Sequence, residues 1–409
     1  MPISHFHSTP ELPRRPVILA LIGAFWPGHD AAGPNQSLAA LARALGNEFE
    51  FKVLARDRPF AAREPAAPTG VWVDRQFARF RYCHVFALGA KDLSEILRST
   101  PHDVLMMNGF FDREFTIPAL FLRRMGRVPR KPTILSTRGE FGEGAIGLKS
   151  SRKTAYLGLA RRLGLLSDVW LHATSPQEAS DVHRGLPWCR DILVAPNISR
   201  LSEFRSPRSS GGGSGIKLLF LGRITRVKNL HFALEALRKV RTSVSFDIIG
   251  PVNDAGYWQE CKRIVATLPT HLTVRQLGPI SNADVPQTMR GYDLLFLPTA
   301  GENFGHSIFE ALSSGVPVLI SDQTPWRDLE KKDAGWDLPL DDIQRFSRVI
   351  DSFSKLDFAA RVHLARGARA LAEKWVKESD AVDRNRAMLR QALGRTEICT
   401  SVASGEVCP

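Results

Sequence analysis

The sequence predicts an α/β protein made of two doubly wound, Rossmann-like parallel-sheet domains. Three observations lead there. Short apolar runs alternate with helix-period stretches along the chain, the pattern of strands covered on both faces by helical crossovers. The alternation is interrupted by SPRSSGGGSG at 206–215, a flexible linker by composition, and then restarts. The chain has 409 residues, too many for one ordinary core and enough for two.

Taken in order, strands are expected at VILALIGAF (17–25), FEFKVLA (49–55), DVLMMNG (103–109), PTILST (132–137), VWLHAT (169–174) and DILVAPN (191–197). Between several of them lie helical stretches such as LAALARAL, KDLSEILRST, IPALFLRRMG and TAYLGLARRLGLL. After the linker, strands follow at KLLFLG (217–222), SVSFDIIG (243–250), LTVRQLG (272–278), DLLFLPT (293–299) and PVLISD (317–322), with NLHFALEALRKV and YWQECKRIVATL as helices. The expected boundaries are an N-terminal domain over 1–205, the linker, and a second domain over 216–377. The long final helical pattern can cross back, so 378–395 is expected against the first domain, with a loose tail over 396–409. In sheets of this kind ligands sit beyond the carboxyl ends of the strands, so the cleft between the domains is the expected site.

The composition is globular, 44% hydrophobic and 24% charged. The formal net charge is +13, and residues 1–200 hold 27 Lys and Arg against 18 Asp and Glu. That excess suits an anionic partner, either a phosphorylated substrate or an anionic membrane surface; an Arg-rich, solvated exterior is the plain alternative. No dense basic block and no aromatic-basic motif is present, so nucleic acid is not expected as a partner. Cys83, Cys189, Cys261, Cys399 and Cys408 are scattered and form no CxxC pair, as in a reduced cytosolic chain without structural zinc. Arg14-Arg15 followed by PVILALIGAFWPG imitates a signal peptide. The apolar run is short, however, and the helical pattern SLAALARALG follows, so it reads as the first buried strand. No apolar stretch reaches the ~20 residues needed to span a bilayer.

Two stretches carry chemistry. In KLLFLGRITRVKN, Arg223 follows the strand and Lys228 stands before a helix. A cation there opposes the helix dipole unless an anion offsets it, and an Arg fork with a Lys point charge suits a diphosphate. Two exposed surface cations are the plain alternative. In ENFGHSIFE, beyond DLLFLPT, Glu302 lies in the loop. Gly305 lets the backbone approach a ligand, and a helix starting near His306 leaves the amides around Gly305, His306 and Ser307 free for phosphate oxygens. Glu310, one turn inside, can accept hydrogen bonds from a diol such as a ribose, while Glu302 faces a sugar hydroxyl. A first-turn glutamate that merely suits the dipole would explain Glu310 alone, but not the Phe304-Gly305 pair between the two carboxylates.

GRITRVKN, ENFGHSIFEALSSGVPVLISD and the TPWRDLEKKDAGWDLPLDD that follows resemble the retaining, metal-independent GT-B glycosyltransferases of family 4, which use nucleotide-activated sugars. The resemblance is sharpest over 217–342. In the first half GPNQSLAALARALG, the strand ending at Asn108-Gly109, and ATSPQEASDV…ILVAPNIS are similar to the family's acceptor-side domain. The resemblance implies that Arg223 and Lys228 bind the donor diphosphate and stabilise the leaving group. Phe304, Gly305, His306 and Ser307 form the donor loop and phosphate nest, and Glu310 meets the ribose. Glu302 lies by the anomeric carbon, and the Gly33 loop closes over the donor. The expected enzyme is cytoplasmic and takes a glycan or lipid-linked glycan as acceptor, and the basic first half suits a polyprenyl-diphosphate acceptor or peripheral contact with the cytoplasmic face of a bacterial inner membrane. The chain departs from the family twice. Ala32-Gly33 stands where two glycines are usual, and Arg138-Gly139-Glu140 stands where many members carry a sugar-contacting histidine. A branch of the family carries Arg-Gly there, which makes Arg138 a candidate for that contact.

Gly142-Glu-Gly144-Ala-Ile-Gly147 with Asp168 matches a dinucleotide fingerprint in form. Its first glycine comes several residues after the strand, and Glu140 and Glu143 would crowd a pyrophosphate, so a flexible acceptor-side loop is the better reading. A GT-B protein that binds nucleotide sugars without transfer, epimerase-like or regulatory, is the alternative function. Trp326 and Trp336 are read as packing residues, and His102 and His231 as structural or exposed.

Overall fold

The computed structural model describes residues 14–23, 25–26, 32–59, 62–84, 88–142, 150–204 and 215–403. The GxGxxG stretch and the glycine-serine linker fall almost wholly outside them.

In the first domain the chain runs β1 (Val17–Ile22), α1 (Gly33–Leu45), β2 (Glu50–Arg56), β3 (Trp72–Arg75), β4 (Ala78–Cys83), α2 (Ala90–Ser99), β5 (Val104–Asn108) and α3 (Thr116–Arg124). It continues through β6 (Thr133–Ser136), α4 (Ser150–Leu163), β7 (Val169–Ala173), α5 (Pro176–Gly185) and β8 (Ile192–Val194). The strands form one sheet in the order β3-β4-β2-β1-β5-β6-β7-β8. All pairings are parallel except β3 with β4, an antiparallel edge hairpin in which Val73 faces Phe80. Strand β1 shows why the sheet is covered on both sides. Ile18, Ala20 and Ile22 belong to one buried cluster, and Leu19 and Leu21 to another across the sheet. Alternation of side chains along a strand sends successive residues to opposite faces, so a run with no polar member needs helices on both.

The second domain is β9 (Ile216–Leu221), a 3₁₀ turn over Arg226–Lys228, α6 (Leu230–Leu237), β10 (Val244–Ile249), α7 (Ala255–Val265), β11 (Leu272–Gly278) and α8 (Val285–Met289). Then come β12 (Leu294–Leu297), α9 (His306–Ser313), β13 (Val318–Ser321), β14 (Gly335–Leu338), α10 (Ile343–Ser354) and α11 (Phe358–Glu378). Its sheet is parallel throughout, in the order β11-β10-β9-β12-β13-β14. The order reverses between β9 and β12, so the loops after these two strands line a crevice at the carboxyl edge.

Helix α11 packs Ala368 and Ala372 into the second core. The chain then turns at Ser379-Asp380, where Asp380 has φ 45°. Helix α12 (Ala381–Ala403) returns to the first domain, burying Ala381, Met388, Leu389 and Ala392 there. The Asn385 amide donates to the Pro196 carbonyl at 2.8 Å, and Arg386 and Arg390 both pair with Glu48. Helix α12 runs on to Ala403, through the first part of the tail expected over 396–409; the rest of that tail lies outside the described residues.

Candidate active site

The loops after β9 and β12 are tied together. Thr299 donates its hydroxyl to the Val227 carbonyl at 3.0 Å, and the Ala300 N–H donates to the same oxygen at 2.7 Å. This brings Glu302 beside Lys228, and the two form an ion pair whose side chains are only 11% and 16% exposed. The Glu302 N–H donates to the Gln323 carbonyl at 3.0 Å, which fixes the loop from its other side. Arg223, two residues past the end of β9, is exposed and forms no hydrogen bond or ion pair with another described residue.

Four residues past Glu302, α9 begins. Gly305 precedes it at φ 79°, and a Cβ there would stand 2.8 Å from Ile308 Cδ1. Both facts require glycine. No side chain caps this helix start. The amides of His306 and Ser307 lack an intrahelical acceptor, and the positive end of the helix dipole lies with them. Such an end binds anions. The neighbouring Phe304, expected in the donor loop, is buried. Its ring is 6% exposed and packs among Phe309, Trp326 and Trp375, while its carbonyl accepts the Trp326 indole N–H at 2.6 Å. Phe304 anchors the loop through these rings and packs edge-on against His306, with ring centroids 4.9 Å apart. Trp326 is thus a packing residue, as its position suggested, and Trp336 packs edge-on against Phe353.

Helix α1 forms the opposite wall. Gly33 lies against the His306 ring, and Ser37 Oγ is 3.2 Å from His306 Nε2. The Ser37 hydroxyl also donates to the Gly33 carbonyl at 2.9 Å. Burial, with the nearby charges of Arg138 and Lys228, holds the His306 pKa down at about 3, so the ring is neutral. The Gln36 amide donates to Asn282 Oδ1 at 2.8 Å and to Glu310 Oε1 at 3.1 Å. That single amide is the only donor given to Glu310 among the described residues. Burial pushes the Glu310 pKa up to about 8, and the Gln36 bond lowers it only in part. A carboxylate so placed is short of donors, which is the condition a diol would relieve.

At the floor of the first domain, Arg138 (φ 54°) turns its guanidinium inward. It donates to Asn108 Oδ1 at 2.5 and 3.2 Å and to Asn197 Oδ1 at 3.5 Å. Burial lowers its pKa to about 10. His172 lies in the same floor, between the Ser136 hydroxyl at 2.8 Å and the Ala195 carbonyl at 2.9 Å. Burial first, and Arg138 second, hold it near 4.

The structure therefore brings Lys228, Glu302, Gly305, His306, Ser307, Glu310 and Gly33 to one cleft, with Arg223 at its edge and Arg138 beneath its first-domain wall. Sequence reasoning missed Gln36, Asn303 and Glu178. For Glu178 a signal existed and would have misled. Ser175-Pro-Gln-Glu178 reads as a capping box, and Ser175 does accept from the Glu178 N–H at 3.1 Å. The carboxylate instead turns to Thr174, Thr137, Gly139 and Asn303.

Comparison with known proteins fits this geometry. The family model Glycosyl transferases group 1 matches residues 206–371, the part holding Arg223, Lys228, Glu302, Gly305, His306, Ser307 and Glu310. The chain is 24% identical over 189 residues to the putative colanic acid biosynthesis glycosyltransferase WcaL of Escherichia coli K12, covering 44% of this chain and 45% of that protein. It is 28% identical over 189 residues to the phosphatidyl-myo-inositol mannosyltransferase of Mycobacterium leprae, covering 44% and 49%. The chain thus spans less than half the length of these curated relatives. Among solved structures, Anabaena Alr3699/HepE in complex with UDP and glucose aligns with TM-score 0.68 at 17% identity, covering 92% of this chain and 99% of that one. Sucrose-phosphate synthase from Thermosynechococcus elongatus aligns with TM-score 0.70 at 15% identity, covering 92% and 100%. Residues 206–371 match the Glycosyl transferases group 1 family model, in a chain with the two-domain GT-B fold.

Proposed function

We propose that the protein is a retaining family 4 glycosyltransferase. It moves a hexose from a nucleoside-diphosphate sugar to a hydroxyl of a glycan or lipid-linked glycan, without a metal ion, in bacterial surface polysaccharide synthesis. One observation carries this reading: the Lys228–Glu302 pair, the uncapped start of α9 and the donor-poor carboxylate of Glu310 share one cleft wall. They follow one another along a single loop and helix start, in the order that the sugar, diphosphate and ribose of one donor would meet them. In the transfer the bond from the anomeric carbon to the diphosphate breaks as the acceptor oxygen bonds to that carbon on the same face. The acceptor proton leaves with the diphosphate. Lys228, Arg223 and the α9 amides take up the charge that builds on the leaving group. When the diphosphate draws Lys228 away, Glu302 is freed to accept hydrogen bonds from the sugar.

Thermal stabilisation by UDP, GDP, ADP and TDP, with their sugars and with NAD(H) as control, tests this. One diphosphate at a hundred times its Kd should add about 2.7 kcal/mol, unaffected by EDTA and abolished by Arg223→Ala. The shift should also grow from about pH 6 to about pH 8. Glu310 has a raised pKa, so the free protein holds a proton there and loses stability as pH rises through that window. A ribose donating to the ionised carboxylate lowers that pKa, so binding releases the proton and tightens until pH passes about 8. Glu310→Gln should flatten this dependence. No shift with any of the four diphosphates, or one with NAD(H) alone, overturns the donor-site reading.

We also propose work at the cytoplasmic face of the inner membrane. Helix α4 carries Arg152, Lys153, Arg161 and Arg162 and no acidic residue, and exposes Leu159 and Leu163. No helix among the described residues is long and apolar enough to cross a membrane. Co-sedimentation should occur with vesicles rich in anionic phospholipid and be lost in high salt. Equal binding to neutral vesicles would refute the electrostatic contact.

A further inference from the structure

We infer that Glu178 and Asn303 form a latch across the cleft, through which the acceptor-side domain sets the position of the donor loop. Asn303 is then a positioning residue for transfer; this step rests on the function proposed above.

Glu178 is 2% exposed and forms no salt bridge with a described residue, the Arg138 charge acting on it only from a distance. A buried carboxylate without a counterion stays ionised only if hydrogen bonds replace its water. Here five donors do so. On Oε1 these are the Thr137 hydroxyl at 2.8 Å and the Gly139 N–H at 2.5 Å. On Oε2 they are the Thr174 N–H at 2.7 Å, the Thr174 hydroxyl at 2.8 Å and Asn303 Nδ2 at 2.9 Å. Burial raises the pKa, but these bonds outweigh it and the group lies below its ordinary range. Four of the donors belong to the first domain. The fifth comes from the loop between Glu302 and Phe304, 125 residues away in sequence.

The fit around Asn303 is close. Its amide nitrogen has two hydrogens, and both are taken, by Glu178 and by Thr174 Oγ1 at 2.9 Å. Gly139 sits at φ 74°, where a Cβ would stand 2.8 Å from Asn303 Cβ. Only a glycine lets the first-domain turn come this near. The remaining anchors of the loop are internal to the second domain: Glu302 N–H on Gln323, and Phe304 on Trp326. Asn303 therefore links Glu302 and the α9 amides to the domain that presents the acceptor. Donor binding needs mainly the second domain, whereas transfer needs the anomeric carbon registered against the acceptor hydroxyl. A displacement of about 1 Å at that step costs on the order of a hundredfold.

The test uses the full chain and whichever of UDP, GDP, ADP and TDP stabilises it. Asn303→Ala is expected to lower kcat about 10- to 100-fold while the nucleotide Kd changes less than about threefold. Asn303→Asp, which sets carboxylate against carboxylate, should be worse. In a double-mutant cycle on kcat, Glu178→Gln and Asn303→Ala should be less than additive, because the contact between them is lost in either variant, although Glu178→Gln also disturbs the first-domain bonds. Hydrogen exchange across 300–309 should rise in both Asn303 variants, with the β5 and β12 amides unchanged. Additive losses in the cycle, unchanged exchange, or a Kd that weakens in step with kcat would overturn the latch. If the wild type binds none of the diphosphates yet exchange rises as stated, the latch stands and the proposed function fails.

Discussion

Lys228→Ala is expected to reduce turnover by about two to three orders of magnitude while leaving nucleotide affinity within about tenfold. The reasoning starts from its surroundings. Lys228 ends the short turn after β9, and the turn is held by the bonds from Thr299 and Ala300 to Val227. The backbone that carries the ammonium group is therefore fixed before any donor arrives, and the side chain has only to swing from Glu302 to meet the charge that gathers on the leaving diphosphate. In the free protein its partner is Glu302, on a side chain that is 11% exposed. Removing Lys228 strands that carboxylate, so the variant should also lose a few kcal/mol of stability, since an unpaired buried charge is costly. The two effects separate in Lys228→Ala/Glu302→Gln. The neutral amide should restore most of the stability and none of the turnover. Full activity in Lys228→Ala would remove the diphosphate from this end of the cleft.

The parallel strands were legible where they are short, mostly apolar runs, as at β1 and β12, which have no polar member facing either side. The edge hairpin β3–β4 was not. WVDRQFARFRYC mixes charge with aromatics, and only half of it meets the core. Strand β14 escaped for the same reason, being four residues at a sheet edge with two of them half-buried. Within the site, residues clustered in sequence were readable: Glu302, Gly305, Ser307 and Glu310 lie in a single strand–loop–helix passage. The cross-cleft partners were not. Gln36 meets Glu310 from 274 residues away, and Asn303 meets Glu178 from 125. Local periodicity fixes which face of an element is buried, but says nothing about which polar side chain will stand opposite when two domains close. Phe304 shows the limit at short range. An aromatic beside a glycine in a ligand loop fits a stacking surface or an anchor equally well, and only the neighbours Trp326 and Trp375 decide for the anchor.

That anchor predicts the largest stability change. Trp326→Ala is expected to destabilise the protein by about 3–5 kcal/mol, a large share of a total near 5–15, and to lower the melting temperature by roughly 10 °C. Trp326 is 4% exposed, with ring centroids 5.3 Å from Trp375, 5.7 Å from Phe304 and 6.1 Å from Phe309. Truncation leaves a cavity that three rigid rings cannot collapse into, and strands the Phe304 carbonyl that the indole N–H satisfies at 2.6 Å. Trp326→Phe keeps most of the packing and loses only that bond, so it should cost about 1–2 kcal/mol. Functionally, the Phe304 carbonyl is one bond from the Gly305 amide that opens α9. Loosening it should weaken nucleoside-diphosphate stabilisation in Trp326→Ala well beyond the loss in Trp326→Phe, although neither ring touches the cleft. Equal melting temperatures for the two variants would mean that the hydrogen bond, not the aromatic packing, holds the donor loop in place.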